Sequence, residues 1–297
     1  MSHIPVLLYE VIRFLDPHPG EFIIDGTVDG GGHSAELWKK IGPNGKLLGI
    51  DWDGSFLETA RENILGGDEA NESLILVKGN YADLPDILKE NDLGKADGLL
   101  LDLGFSSHQL TSGRGFSFRE GENEPLYMTY SDDVPPVAAI LRELKESELT
   151  DIIREYGEER YARQIAFAIK VREKRSPIRT AGELAETIAQ AVPKNYERGR
   201  IHPATRTFQA LRIYANDELG NLKRVLSSLS EIIRPGGRVV VIGFHSLEDR
   251  IVKNAFRDMA KQGTLEILTK KPIEATEEEM HVNPRSRSAK VRAAKFL

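Results

Sequence analysis

With 297 residues, 40% of them hydrophobic, the chain is long enough for one large domain or two ordinary ones around a real core. A net charge of −6 excludes a protein that coats nucleic acid through bulk charge, while leaving room for a local basic face. The absence of cysteine excludes disulfides, zinc–thiolate sites and thiol nucleophiles, and it suits a reducing cytosol.

No stretch approaches the roughly 20 apolar residues needed to span a bilayer. The N-terminus has no basic start and no long apolar run, so it does not read as a signal peptide. A soluble, cytoplasmic protein is the expectation. Residues 6–15 carry apolar side chains at helical spacing and stop at Asp16-Pro17-His18-Pro19-Gly20. Phe22-Ile23-Ile24 is a strand, and it runs into the turn Asp25-Gly26-Thr27-Val28-Asp29-Gly30-Gly31-Gly32-His33-Ser34 ahead of a helical pattern. Strands are predicted at 46–50, 74–77 and 96–101, with helices at 56–65 and 84–89. That alternation is an α/β parallel sheet with right-handed crossovers. A loop-rich stretch, 111–136, is followed by four helical patterns at 137–144, 147–156, 159–173 and 181–191. Ser147 before Glu148, and Thr180 three residues before Glu183, read as helix caps. The α/β rhythm resumes at His202. A long helix is predicted over 203–229, a turn at Pro235-Gly236-Gly237 and a strong strand over 238–244. His245 opens another helix, and 264–269 with 289–296 form a closing antiparallel pair. The division is therefore 1–110 with 202–297 as the α/β domain, and 111–201 as an all-helical insertion.

Gly30-x-Gly32-x-x-Ala35 matches a dinucleotide fingerprint, with Asp51 about 20 residues on where a ribose-binding acid belongs. Spacing alone leaves a nicotinamide enzyme and a methyltransferase both open. Asp25, Asp51, Asp83 and Asp102 are predicted to end four successive strands above one crevice. So many carboxylates repel a pyrophosphate, whereas the sulfonium, ammonium and ribose diol of S-adenosylmethionine suit them. Asp51 is then assigned to the ribose hydroxyls, Gly31, Gly32 and His33 to the methionyl end, and Tyr81 to the adenine face. Asp102-Leu103-Gly104-Phe105 stands where amino-methylating enzymes place an acid and an aromatic. Asp102 is the candidate acceptor for an exocyclic amine, and Phe105 the stacking residue. No metal is called for, because the sulfonium already activates the methyl group.

Motifs then follow in order: His3-x-Pro5-Val6-Leu7-Leu8, Asp25-x-Thr27 through His33-Ser34, Asp102-Leu103-Gly104-x-Ser106-Ser107-x-Gln109-Leu110, and Arg114-Gly115-Phe116-Ser117-Phe118. Tyr156-Gly157-Glu158-Glu159-Arg160, His202-Pro203-Ala204-Thr205-Arg206-Thr207-Phe208-Gln209-Ala210-Leu211-Arg212-Ile213, Phe244-His245-Ser246-Leu247-Glu248-Asp249-Arg250 and Asn283-Pro284-Arg285-x-Arg287-Ser288 complete the set. The chain resembles the bacterial 16S rRNA cytosine-N4 methyltransferases of the MraW type, nearly end to end. The resemblance implies a Rossmann-like class I S-adenosylmethionine-dependent methyltransferase sheet with an inserted all-helical, substrate-recognition domain. It also implies methylation of N4 of a cytidine in the decoding centre of the small ribosomal subunit. Cofactor contacts are implied at Gly31, Gly32, His33, Asp51, Tyr81, Asp102 and Gln109. Arg114, Arg206, Arg212, His245 and Arg287 are the candidate substrate contacts.

The chain departs from the family pattern at four places: Asp29 replaces a glycine, Phe105 a small aliphatic residue, Gly243 a serine, and Pro125-Leu126-Tyr127-Met128-Thr129 a Pro-Leu-Asp-Met-Arg. An acidic protein binds RNA through local patches. Arg160 to Arg163, Lys170 to Arg179 and Arg285 to Arg292 supply them. Rival readings are a methyltransferase with another substrate, and a ribosome-assembly factor that holds the cofactor with little or no turnover.

Overall fold

The computed structural model describes residues 5–67, 71–104, 113–118 and 123–297. The chain forms two compact units, Met1–Gly104 with Leu219–Leu297, and Phe105–Glu218.

In the first unit, β1 (Phe22–Asp25), β2 (Lys46–Asp51), β3 (Leu74–Lys78), β4 (Ala96–Asp102) and β5 (Ile233–Gly243) are mutually parallel neighbours. The sheet is completed by β6 (Leu265–Ile267), β7 (Ile273–Glu274) and β8 (Lys290–Phe296) in the order β3-β2-β1-β4-β5-β8-β6, with β7 beside β8. β8 runs antiparallel to both β5 and β6, as the closing pair in the sequence predicts. Successive side chains of a strand point to opposite faces, so a continuous apolar run fills a core on each side of the sheet. Leu99, Leu101, Val239 and Val241 enter one core with Leu48 and Phe256, and Leu100, Val240 and Ile242 enter the other with Ile23 and Leu47. α1 (Leu8–Leu15) precedes β1, and the crossover helices between β1 and β4 are α2 (Gly32–Ile41), α3 (Gly54–Leu65) and α4 (Leu84–Glu90).

The second unit is helical: α5 (Val137–Glu143), α6 (Glu146–Gly157), α7 (Ala162–Arg175), α8 (Ala181–Ala191) and α9 (Thr205–Ala215). Its own core holds Leu141, Ile153, Ile165, Leu184, Phe208 and Leu211. The boundary differs from the expected 111–201 for that reason. Phe208 and Leu211 of α9 point into the helical core, which draws residues up to Glu218 into this unit.

The long helix expected over 203–229 is broken into α9, α10 (Glu218–Ser227) and α11 (Leu229–Ile232). Asp217 is left-handed, with φ 46°, and the Asn216 amide donates to the carbonyls of Met128 and Arg212 instead of continuing the helix. Thr180 is a cap, accepting from the Glu183 N–H while Glu183 accepts from that of Thr180. Ser147 is not: the helix already begins at Glu146, and Glu148 accepts from the Lys145 N–H at 2.7 Å. The turn expected at Pro235-Gly236-Gly237 lies within β5, where the register shifts opposite Ala96 and Gly98. Beyond β5 come α12 (Ser246–Lys261) and a short α13 (Glu277–Val282). The sequence reading had no counterpart for α13 or β7.

Candidate active site

The glycine turn between β1 and α2 is tied into the sheet at both sides. The Gly26 N–H donates to the Leu100 carbonyl and the Val28 N–H to that of Ile50, both at 2.9 Å. Asp25 organises the interior of the turn. One oxygen accepts from the Thr27 N–H at 3.1 Å and the other from the Ser34 hydroxyl at 2.6 Å. Burial raises the Asp25 pKa, and these donors oppose the rise. Thr27 in turn accepts from the Asp102 N–H at 2.7 Å, joining the turn to the end of β4. The Asp25-x-Thr27 and Ser34 signals are thus scaffolding for the loop, a role the sequence reading did not separate from ligand binding.

Gly31 has φ 80° and caps α2, and a Cβ there would sit 3.0 Å from the Ala60 carbonyl oxygen. Only glycine meets both conditions at low cost. The first N–H groups of α2, at Gly32 and His33, have no intrahelical acceptor and mark its positive end. The His33 ring is buried. Its Nε2 lies 2.9 Å from the Val6 carbonyl, so Nε2 carries the proton and Nδ1 faces Asp102 Oδ2 at 3.6 Å.

Asp51 ends β2 with each oxygen already accepting a backbone N–H, from Asp29 and Asp53, both at 2.9 Å. Burial pushes its pKa up to about 7, with Asp29 adding repulsion. Asp102 ends β4. Its side chain keeps 20% of its surface accessible, while Oδ1 is sealed and has no hydrogen-bond partner among the described residues. Burial pushes it up to about 6 against the opposing pull of His33. Asp29, whose N–H donates to Asp51, has φ 44°, and its own Oδ1 is buried with no hydrogen-bond partner among the described residues.

Three of the four expected strand-end acids are therefore where the sequence puts them. Asp83 is not: β3 ends at Lys78, and Asp83 is exposed in a 3-10 turn (Tyr81–Asp83) that Asn80 caps. Tyr81 opens that turn, and its Cβ is 3.1 Å from where a Cβ on Gly26 would lie, so it borders the glycine loop. Phe105 and Gln109 lie outside the described residues.

Among the substrate candidates, the guanidinium of Arg114 is already occupied. It donates to the Thr129 carbonyl at 2.8 Å and to its hydroxyl at 3.0 Å, pairs with Asp132 at 2.9 Å and lies over the Tyr127 ring. The residues that replace the family's acid and base, Tyr127 and Thr129, are thus the partners of Arg114, and its role is to hold this loop. Arg212 is buried and makes a two-pronged pair with Glu218 at 2.9 and 3.1 Å, a structural tie. His245 caps α12: its Nδ1 faces the Glu248 N–H, and Glu248 accepts from the Phe244 N–H at 2.7 Å. Arg206 is held by Glu197 at 3.1 Å with 31% of its side chain exposed. Arg287 is exposed, with no ion-pair partner among the described residues. Its neighbour Arg285 belongs to the same basic stretch, which the sequence assigns to RNA and not to the acids of the turn. It is half-buried in the fields of Asp29 and Asp102.

The strand order, the glycine turn and the acids above it define an α/β methyltransferase with a Rossmann-like sheet of the class I type. The chain belongs to the MraW methylase family, whose model matches residues 1–297. The ribosomal RNA small subunit methyltransferase H of Geobacter sulfurreducens is 46% identical, covering 100% of this chain and 99% of that protein. Its namesake from Symbiobacterium thermophilum is 44% identical, covering 98% of this chain and 95% of its own length. Among solved structures, the SAM-dependent O-methyltransferase of Thermotoga maritima shares 12% identity at a TM-score of 0.43, covering 99% of this chain and 67% of that one. No described helix is long and apolar enough to cross a membrane.

Proposed function

We propose that this protein transfers a methyl group from S-adenosyl-L-methionine to N4 of a cytidine in 16S rRNA, acting in the cytoplasm on the small ribosomal subunit. The observation that supports the reading best is the gathering of carboxylates around the glycine turn: Asp25, Asp51 and Asp102 end β1, β2 and β4, and Asp29 raises the pKa values of both Asp51 and Asp102. Such a site fits a ligand that brings positive charge and N–H or O–H donors. It suits a pyrophosphate poorly, which disfavours the nicotinamide reading.

When bound, the cofactor supplies an electrophilic methyl group on its sulfonium. The remaining lone pairs of Asp51 would accept the ribose hydroxyls, and the N–H groups at Gly32 and His33 would serve the methionyl end. Tyr81 would stack on the adenine. The accessible side of the Asp102 carboxylate accepts an N–H of the target amine, aligning a weak nucleophile whose lone pair is delocalised into its ring. Phe105 and Gln109 complete the set as stacking residue and cofactor contact. Arg206 and Arg287 are the cations offered to RNA.

The test uses small subunits from cells lacking the enzyme, incubated with the wild-type protein and methyl-labelled cofactor, then digested to nucleosides. Labelled N4-methylcytidine is expected; label in protein, or none, overturns the reading. Asp102→Ala should lower the transfer rate by about 10²–10⁴-fold, the usual worth of a positioned proton acceptor. Near-normal turnover would remove Asp102 from that role.

A further inference from the structure

The helical unit carries an exposed aromatic that its own packing does not explain. Phe167, in the middle of α7, is 56% exposed, while Ile165, Ala166 and Ile169 on the same helix are buried in the core. A single exposed phenyl ring is by itself ordinary, so what it is for is read from the side chains around it.

Its neighbours on the helix indicate what that is. At about 100° per residue, Arg163, Lys174 and Val171 fall within roughly 40° of Phe167 around the axis. Arg163 lies about one turn before the ring and Lys174 about two turns after it, on a stripe about 16 Å long at 1.5 Å per residue. Arg163, Lys174 and the adjacent Arg175 are exposed and have no ion-pair partner among the described residues. The single acid of α7, Glu173, points roughly 120° away. It is engaged elsewhere, accepting from the Ile178 N–H at 2.6 Å. The stripe therefore presents a flat apolar face between cations, with no carboxylate of its own helix on it.

We infer that this face of α7 docks single-stranded RNA, with a base stacked on Phe167 and the phosphates on either side held by Arg163 and Lys174. The inference deepens the reading of the protein as an rRNA methyltransferase and rests on it: it adds an anchoring surface on the helical unit, made of residues other than those assigned to methyl transfer. A second protein would more commonly be met by an apolar patch with a polar rim, whereas cations alternating with one aromatic are the pattern of a strand-tracking groove.

The test measures binding of a fluorescein-labelled single-stranded oligouridine by anisotropy. Phe167→Ala should weaken binding by about 5- to 100-fold, the span of one lost base–aromatic stack. Phe167→Trp should retain it and show indole quenching when RNA is added. Reversing both cations, Arg163→Glu with Lys174→Glu, should make the log affinity–log salt slope shallower by about 1.4, two phosphates at about 0.7 each. Circular dichroism melting checks that each variant is folded, and the exposed tryptophan variant keeps the test informative if the alanine is not. Unchanged affinity in Phe167→Ala, or no binding by the wild type, overturns the inference. So does a wild type that self-associates through this face, seen as a dimer in sedimentation that Phe167→Ala dissociates. Methyl transfer to subunits by the wild type is scored in parallel. Oligouridine binding through Phe167 without transfer would leave the docking face standing and remove the catalytic reading.

Discussion

Asp29 is the residue at which this chain departs most plainly from its family, and the backbone says why a glycine belongs there. Its φ of 44° is left-handed, a conformation that costs an L-residue roughly 1–2 kcal/mol, although aspartate bears it better than most. The conformation persists because the Asp29 N–H is held by Asp51 Oδ2 at 2.9 Å. Its carboxylate also raises the pKa values of Asp51 and Asp102. Asp29→Gly should therefore stabilise the protein by about 1 kcal/mol in urea denaturation, after allowing for the greater freedom of glycine in the unfolded chain. Asp29→Ala removes the same charge and keeps the strained backbone, so it should gain less. Equal effects of the two would show that charge, not conformation, is the cost.

At the scale of elements, the sequence motifs divide into those that fold the protein and those left to act. The pair of Arg212 with Glu218 crosses the break between α9 and α10, with side chains only 10% and 12% exposed. It fixes where the long apolar pattern stops being one helix. Removing one member of a buried ion pair leaves the other uncompensated, typically at about 3–5 kcal/mol. Arg212→Ala should lose about that much stability, read from denaturant midpoints, while RNA affinity measured on the folded fraction stays the same. Loss of RNA affinity without loss of stability would return Arg212 to the substrate contacts. Phe244, His245 and Glu248 are likewise joined as the start of α12, and Gly104 packs so closely that a Cβ would lie 2.6 Å from the Phe244 ring. These residues have a packing role at the start of α12.

For the whole molecule, the acids at the turn make folding and ligand binding respond to pH in opposite senses. Asp51 and Asp102 have folded-state pKa values raised from 3.8 to about 7 and about 6. The folded protein thus holds protons that the unfolded chain releases, so the contribution of these groups to stability falls as pH rises through that window. A cationic ligand with hydroxyl donors prefers the ionised carboxylates, so cofactor affinity should rise over the same window. The check is thermal melting and calorimetric titration of the wild type against Asp51→Asn. The wild-type-minus-variant stability should decline with pH, and the variant should lose the affinity rise centred near pH 7. A difference that grows with pH would contradict the assignment.

Much of this was legible in the order of residues. Alternating apolar runs and polar strand ends determine a parallel sheet, because a strand buried on both faces must be apolar throughout and can spend its polar residues only where it leaves the core. Glycine at 31 and acids at 25, 51 and 102 are local requirements of that geometry, so they show in one dimension. The motif run from His3 to Ser288 also placed the chain in its family. What the tertiary structure decided is which of those side chains remain free. Arg114 and Arg212 read as RNA contacts in sequence, and the fold consumes both, since a guanidinium is equally good at tying a loop or meeting a phosphate. Asp83 is shifted off its strand end by a short capped turn, and Arg285, read in sequence only as part of a basic stretch, lies in the fields of Asp29 and Asp102, because electrostatic environment depends on residues far away in the chain. The helical face around Phe167 belongs to the same class: a phenylalanine at helical spacing reads as core until the other helices have packed and left it outside.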